Sequence, residues 1–382
     1  MTLLRAPSRP QLDTRLTAAR RPSEPQGRRE IGRTLAGQRI LVDCRWLGLG
    51  GAGRVTELLL KAFQASPPPG EWILWGPEER VRPLAFPGAT VRAATGNPLR
   101  LAGQADVLRV PAADVGVYLH QIRPLRPGPS VTAIHDTIPL RYGGGRLSRL
   151  LKRAFFVATA RLTTVILTGS KFSHASIVRD LGVPDERILM HPYPCDRARA
   201  VHVAAMRDAL GQEDRLVYVG RFAAHKNLER LCRAYARSEF ARRGGRLALV
   251  GGWNGETEAL QGWVDRFEIS GVEIRPACTE EDMDRLLATS RALVLPSLEE
   301  GFGLPAYEAA GSGLPVAASR TGAMTELPPE RAVLFDPFDE VAMQEAIDEA
   351  VSRPAGEPAG DEEPFADAVL AACARALDGS RA

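Results

Sequence analysis

The sequence predicts an α/β chain made of two Rossmann-like, doubly wound parallel-sheet units. Three observations carry that reading. A short apolar run that passes through a small-residue turn into a helix occurs twice, at residues 39–63 and again at 216–228. Strand-like runs then alternate with helical patterns to the end, the order that builds parallel sheets. The chain has 382 residues, 45% of them hydrophobic, enough for two domains of ordinary size.

The elements follow in order. Arg39–Asp43 reads as the first strand, residues 47–53 as a glycine-rich loop and 55–63 as a helix. The glycines at 48, 50, 51 and 53 do not have the dinucleotide-binding spacing. Residues 71–75, 90–93 and 115–119 are further strands, and most of 121–129 is loop. Residues 130–134 form a strand that ends in His135 and Asp136. Open α/β sheets place ligands at such strand ends, so His135 is expected in a cleft. Residues 146–162 mix arginine and leucine at helical spacing. The preferred reading packs the apolar face in the domain and solvates the basic face; the other lays the helix on an anionic membrane.

Residues 164–168 form a strand, and Ser170 can cap the helix that follows. Residues 196–214 read as a linker and short helix. The strand at 216–220 ends at Gly220, and Arg221 and Lys226 flank the turn into the next helix. Two cations beside a helix N-terminus make a diphosphate clamp. Strands at 247–250 and 272–275 are followed by helices at 256–267 and 279–288. Asp282 and Asp284 sit in the first turns of the latter, where acids complement the helix dipole, and are not read as a metal pair. A last helix spans 365–377, after an acidic break at 354–363 that reads as flexible.

The densest chemistry lies at residues 292–318. A buried strand at Ala292–Leu295 gives way to a loop with two carboxylates and two glycines, and Pro305 stands at the first helical position. Gly301 and Gly303 let backbone approach a ligand, and the free N–H groups of the helix start favour an anion. Carboxylates beside an anion site are suited to accepting hydroxyl hydrogen bonds. Glu300 and Glu308, seven residues apart between them, could both reach one crevice. A ligand with phosphates and several hydroxyls, such as a nucleotide sugar, fits both halves.

Glu300-x7-Glu308, within Pro296-Ser-x-x-Glu-Gly-Phe-Gly-Leu-Pro-x-x-Glu-Ala309, resembles the signature of GT-B glycosyltransferases of family 4, the retaining enzymes. Asp43-x-Arg45 with Gly51, Gly53 and Arg54, the His135-Asp136-x-x-Pro-Leu string, and Gly220-Arg221-x4-Lys226 are similar to other family segments; His191-Pro-Tyr-Pro-Cys195 departs from the usual pattern. The resemblance implies two Rossmann-like domains facing across a cleft. It places an acceptor domain at 38–195, a donor domain at 211–351 and a helix within 361–382 crossing back to the first domain. It further implies a hexose, mannose favoured, moved with retention from a GDP- or UDP-linked donor to a glycan or lipid-linked acceptor in surface polysaccharide or glycoconjugate assembly. No metal and no cofactor are expected.

In that picture His135, Glu300, Arg221 and Lys226 serve the transfer. Gly51, Gly53, Gly220, Arg275, Gly301, Phe302, Gly303, Leu304 and Glu308 bind the donor with them. Glu300 would hold sugar hydroxyls, Glu308 the ribose, and the end of 272–275 the base. The alternatives are a sugar-nucleotide epimerase of the same fold and a non-catalytic partner protein.

Net charge is +3, too balanced to argue for nucleic acid. The basic excess is local: residues 1–39 hold nine arginines and three acids. Residues 1–37 therefore read as a disordered basic tail. Five scattered cysteines suggest neither a zinc site nor a disulfide framework. No apolar run is long enough to span a bilayer. The expected location is cytoplasmic, with peripheral contact at the inner face of an anionic membrane as its variant.

Overall fold

The computed structural model describes residues 25–94, 109–142, 144–252, 255–359 and 365–379. Residues 1–24 of the expected tail lie outside them. Two wholly parallel sheets organise the rest. The first comprises β1 (Arg39–Asp43), β2 (Glu71–Gly76), β3 (Ala89–Ala93), β4 (Val115–Tyr118), β5 (Ser130–Ala133), β6 (Val165–Thr168) and β7 (Ile188–Met190), in the order β3-β2-β1-β4-β5-β6-β7. The second comprises β8 (Arg215–Gly220), β9 (Arg246–Gly251), β10 (Val272–Arg275), β11 (Ala292–Leu295), β12 (Val316–Ser319) and β13 (Ala332–Phe335), in the order β10-β9-β8-β11-β12-β13. Both are doubly wound: the strand order reverses direction beside β1 and beside β8, which opens a crevice at their C-terminal ends.

The central strands are short runs of Val, Ile, Leu and Ala because helices cover both faces, so neither face can be polar. β4, β5, β6, β11 and β12 are buried at every residue. Register follows: Ile40 of β1 stands opposite Trp72 of β2 and Val115 of β4. β7 was not anticipated as a strand; it pairs parallel with β6 at the sheet edge.

Three local expectations are corrected. The helix after β1 runs Gly50–Ala65, so Gly50, Gly51 and Gly53 form its first turn and not a loop before it. The expected tail is helical over Pro25–Leu35, with Leu35 fully buried and Arg28 2.6 Å from Asp367 of the last helix. Part of the expected flexible break is pinned: the Gly356 N–H donates to Gly313 O at 2.8 Å and that of Ala359 to Gly311 O at 2.7 Å. The last helix, Phe365–Asp378, buries Phe365, Val369, Ala372, Cys373 and Leu377 in the same core as Val42, Val117 and Val131 of the first sheet. The chain therefore returns to the first domain after completing the second.

Candidate active site

The C-terminal ends of the two sheets line one cavity of about 430 Å³. Trp46, Gly51, His120, His135, Asp136 and Tyr193 face it from the first half; Gly220, Arg221, His225, Lys226, Glu300, Phe302, Gly303 and Leu304 face it from the second.

The second wall is charged. β8 ends at Gly220, and a single helical turn over Ala224–Lys226 brings Lys226 Nζ to 2.5 Å from Glu300 Oε1. Ser297 Oγ donates to the same oxygen at 2.7 Å, so Glu300 is fixed from two sides although only 8% exposed. Asn227 adopts a left-handed φ of 61° and its amide donates to the Pro296 and Pro337 carbonyls at 3.1 and 2.9 Å. These bonds tie the turn to the end of β11. Arg221, largely exposed, lies 2.7 Å from Glu256 Oε1. Burial, with the neighbouring Lys226 charge, lowers the His225 pKa to about 4, so it stays neutral.

The first wall carries mostly uncharged rings, with Asp136 as the carboxylate among its lining residues. The indole of Trp46 stacks on His120 with ring centres 3.7 Å apart, and the Ile122 N–H donates to His120 Nδ1 at 2.9 Å. His135 Nδ1 is 2.7 Å from the Tyr193 hydroxyl and Nε2 is 3.0 Å from the Leu119 carbonyl. A carbonyl can only accept, so Nε2 carries the proton and Nδ1 accepts from Tyr193. Burial lowers the His135 pKa to about 4 and takes His120 well below its ordinary value, so both rings are uncharged near neutrality. Burial, with nearby Glu300 adding to it, raises the Asp136 carboxyl to about 6, while its bond from the Ile138 N–H works the other way.

The loop between β11 and the helix Leu304–Gly311 joins the two walls. The Gly301 carbonyl accepts from Ser170 and Ser173 hydroxyls at 2.5 and 2.8 Å. A Cβ on Gly301 would lie 2.6 Å from the Asp136 Cβ, so the domains meet at a distance only glycine permits. Gly303 is the N-cap at φ 80°, and a Cβ there would also strike Met324. Phe302 crosses into the first core, 5.1 Å from the Tyr193 ring and stacked on Tyr307 at 4.3 Å. Glu326 accepts the Lys171 and Phe172 N–H groups at 3.1 and 3.0 Å, capping the helix Lys171–Leu181 from the other domain. Pro305 is the second helical residue, one later than its spacing suggested.

Glu308 is not gathered into this cavity. It lines a small recess with Cys195, Asp196 and Arg199. Its Oε1 lies 2.9 Å from Arg199 and 3.4 Å from Arg54. Arg199 also pairs with Asp284 at 2.6 Å. Asp284 is thus neutralised by an arginine, and Asp282 takes the Thr279 hydroxyl at 2.7 Å. Among the described residues no three His, Cys, Asp or Glu side chains are grouped to hold a metal ion. Arg275 pairs with Glu273 and is not among the cavity's lining residues. Gly53 is not a lining residue either; a Cβ there would lie 2.3 Å from the Trp46 carbonyl, so the glycine serves packing of the helix start.

His120, Trp46, Tyr193, Asp136 and His225 were not singled out as site residues from sequence. The signal for His120 was available: it follows β4 as His135 follows β5, and polar residues at parallel strand ends face the crevice. Tyr193 lies in the segment that departs from the family pattern, and nothing in its spacing marks it.

Residues 213–353 match the family model described as glycosyl transferases group 1. Over 183 residues the chain is 30% identical to O-antigen chain mannosyltransferase B of Escherichia coli, covering 46% of this chain and 48% of that protein. Over 170 residues it is 31% identical to the MMP alpha-(1->4)-mannosyltransferase of Mycolicibacterium hassiacum, covering 44% and 40%. The matched stretches thus span less than half the length of these two relatives. Among solved structures, the Anabaena protein HepE in complex with UDP and glucose superposes with a TM-score of 0.63 over 90% of this chain and 95% of that one, at 17% identity. The chain has the GT-B fold, and its second half carries the match to the group 1 glycosyl transferases.

Proposed function

We propose that the chain is a retaining, metal-independent glycosyltransferase that moves a hexose, most readily mannose, from a GDP- or UDP-linked donor to a glycan or lipid-linked acceptor. The setting is assembly of a surface polysaccharide or glycoconjugate. The observation that carries this is Lys226 held against Glu300 at the floor of a cavity whose rim bears Arg221. A cation beside an acceptor-only carboxylate matches a diphosphate attached to a hydroxylated ring. The names of the two curated relatives support mannose.

In this reading Lys226 and Arg221 neutralise the departing diphosphate, together with the N–H groups at the start of the helix Leu304–Gly311. That is stabilisation of charge developing on the leaving group. Glu300 accepts hydroxyl hydrogen bonds from the transferred sugar. Glu308 lies in a separate recess, so it would hold the ribose, with the oxygen that neither arginine takes, only where the donor extends beyond the cavity. His135 sits beside the reacting carbon as a fixed neutral surface. Both of its ring nitrogens are engaged, so it moves no proton.

A thermal-shift screen of GDP-mannose, UDP-glucose and related donors tests the proposal. A donor at a hundred times its Kd should stabilise the protein by about 2.7 kcal/mol. NMR of the product should then show the donor's anomeric configuration retained, with turnover unchanged by EDTA. Absence of any stabilising nucleotide sugar would end the reading; activity lost in EDTA and restored by Mg²⁺ would end its metal-independent part.

A further inference from the structure

The helix Arg146–Leu162 was expected to bury its apolar face. The structure divides it in two. Its C-terminal half packs Phe156, Thr159 and Ala160 into the domain. Its N-terminal half leaves Leu147, Leu150 and Leu151 at 70, 62 and 62% exposure, with Ala154 exposed beside them. These positions are spaced i, i+3, i+4 and i+7, so they form one continuous stripe. Arg146, Arg149 and Arg153, spaced i, i+3 and i+7, form a second exposed stripe directly alongside. None of the three forms an ion pair among the described residues. Some other surface arginines do find acids: Arg233 and Arg237 share Glu340, and Arg242 and Arg243 share Glu239.

We infer that residues 146–154 form a docking surface for an anionic lipid bilayer. Three exposed leucines on one helix face are a cost in water that a protein surface ordinarily avoids. Three uncompensated arginines beside them select what covers them: an apolar layer bordered by negative charge, which is the interface of an acidic membrane. A second copy of the chain would set this basic stripe against another of like charge.

The placement also orients the molecule. The helix begins close after Arg141, which pairs with Glu299 of the central loop, and Tyr142, whose ring centre is 5.5 Å from that of His225 at the cavity. Docking by its first turns would hold the cleft mouth near the headgroups. Among the described residues no helix is long and apolar enough to cross the membrane, so attachment here is by a face and not by a span.

Flotation of the full-length protein with vesicles tests this without reference to catalysis. The protein should float with phosphatidylglycerol-containing vesicles and remain behind with pure phosphatidylcholine. Leu150→Glu should abolish flotation. Each of Arg146→Gln, Arg149→Gln and Arg153→Gln should weaken partitioning about fivefold, and added salt should do the same. All four positions are exposed, so unchanged melting temperatures are expected and rule out misfolding. Equal binding to both vesicle types, flotation unaffected by Leu150→Glu, or a concentration-dependent dimer dispersed by that substitution would each overturn the inference.

Discussion

The two walls of the cavity come from sheets of the same design yet carry opposite electrostatic character. The second domain presents Arg221, Lys226 and Glu300, ionisable groups fixed by charge-assisted bonds. The first presents Trp46, His120, His135 and Tyr193, whose two histidines are held uncharged by burial, with Asp136 as the carboxylate beside them. One wall is suited to gripping a polyanion and the other to shaping space for a neutral body. A twofold-like architecture therefore yields an asymmetric cleft, and the asymmetry is set by a few residues at strand ends.

The comparison can be broken most forcefully at Lys226. Lys226→Ala leaves Glu300 charged, nearly buried and paired only with Ser297. Removing one partner of such a pair should cost about 3 kcal/mol of stability, read by denaturant unfolding. It should also weaken UDP or GDP binding by a similar amount in calorimetry. Unchanged nucleotide affinity would mean that the charged wall is not the diphosphate site.

The two acids of the motif divide next. Glu308→Gln should weaken both intact donor and bare nucleotide by about 1.5 kcal/mol. Glu300→Gln should spare the bare nucleotide and lower turnover. Equal loss of nucleotide affinity in both variants would contradict the assigned roles.

The neutral wall is tested by pH. Folded His135 of this wall, like His225 of the charged one, stays neutral down to about 4, whereas unfolded histidine charges near 6.5. Their contribution is present above that value and is lost as pH falls from about 6.5 to about 4. Asp136 acts in the other direction. Its folded pKa of about 6 is raised, so its contribution is present at low pH and lost as pH rises from about 4 to about 6. Asp136→Asn removes that opposing slope and should steepen the acid-side loss by about 1.4 kcal/mol per pH unit. Unfolding curves across this interval give the slope directly; an unaltered slope would show that Asp136 is ionised there.

The smallest effect is expected at Arg54, which bridges from the first domain to Glu308 and Glu280 of the second. Arg54→Gln should cost about 1 kcal/mol, since exposed members of the network remain solvated. A loss several times larger would make this bridge the main tie between the domains.

The sequence reading reached the charged wall and missed most of the neutral one, for a physical reason. Charges beside glycines have few structural uses, so Arg221, Lys226 and Glu300 stand out in one dimension. Trp46, His120 and Tyr193 resemble ordinary core residues until three separate strand ends bring them together. The parallel strands were legible because burial on both faces leaves uninterrupted apolar runs. The helix Pro25–Leu35 was not: its arginines face solvent, and its apolar residues find a partner only because a helix some 340 positions later lies against it. Likewise, helical spacing at residues 146–162 showed an apolar face but not that half of it stays uncovered.

That late helix has a consequence for how the protein is made. A domain ordinarily folds as soon as it leaves the ribosome, ahead of the next. Here the core around Val42, Val117 and Val131 lacks Phe365, Val369, Cys373 and Leu377 until translation has passed residue 377. The nascent first domain must wait with an apolar flank open while the second domain, whose core draws on residues 203–351, is completed. A chain cut between residues 352 and 365 would hold the residues of the second core and lack the helix that seals the first. Chaperones and proteases would meet that chain as an exposed apolar groove, so sealing of the first core depends on the helix Phe365–Asp378.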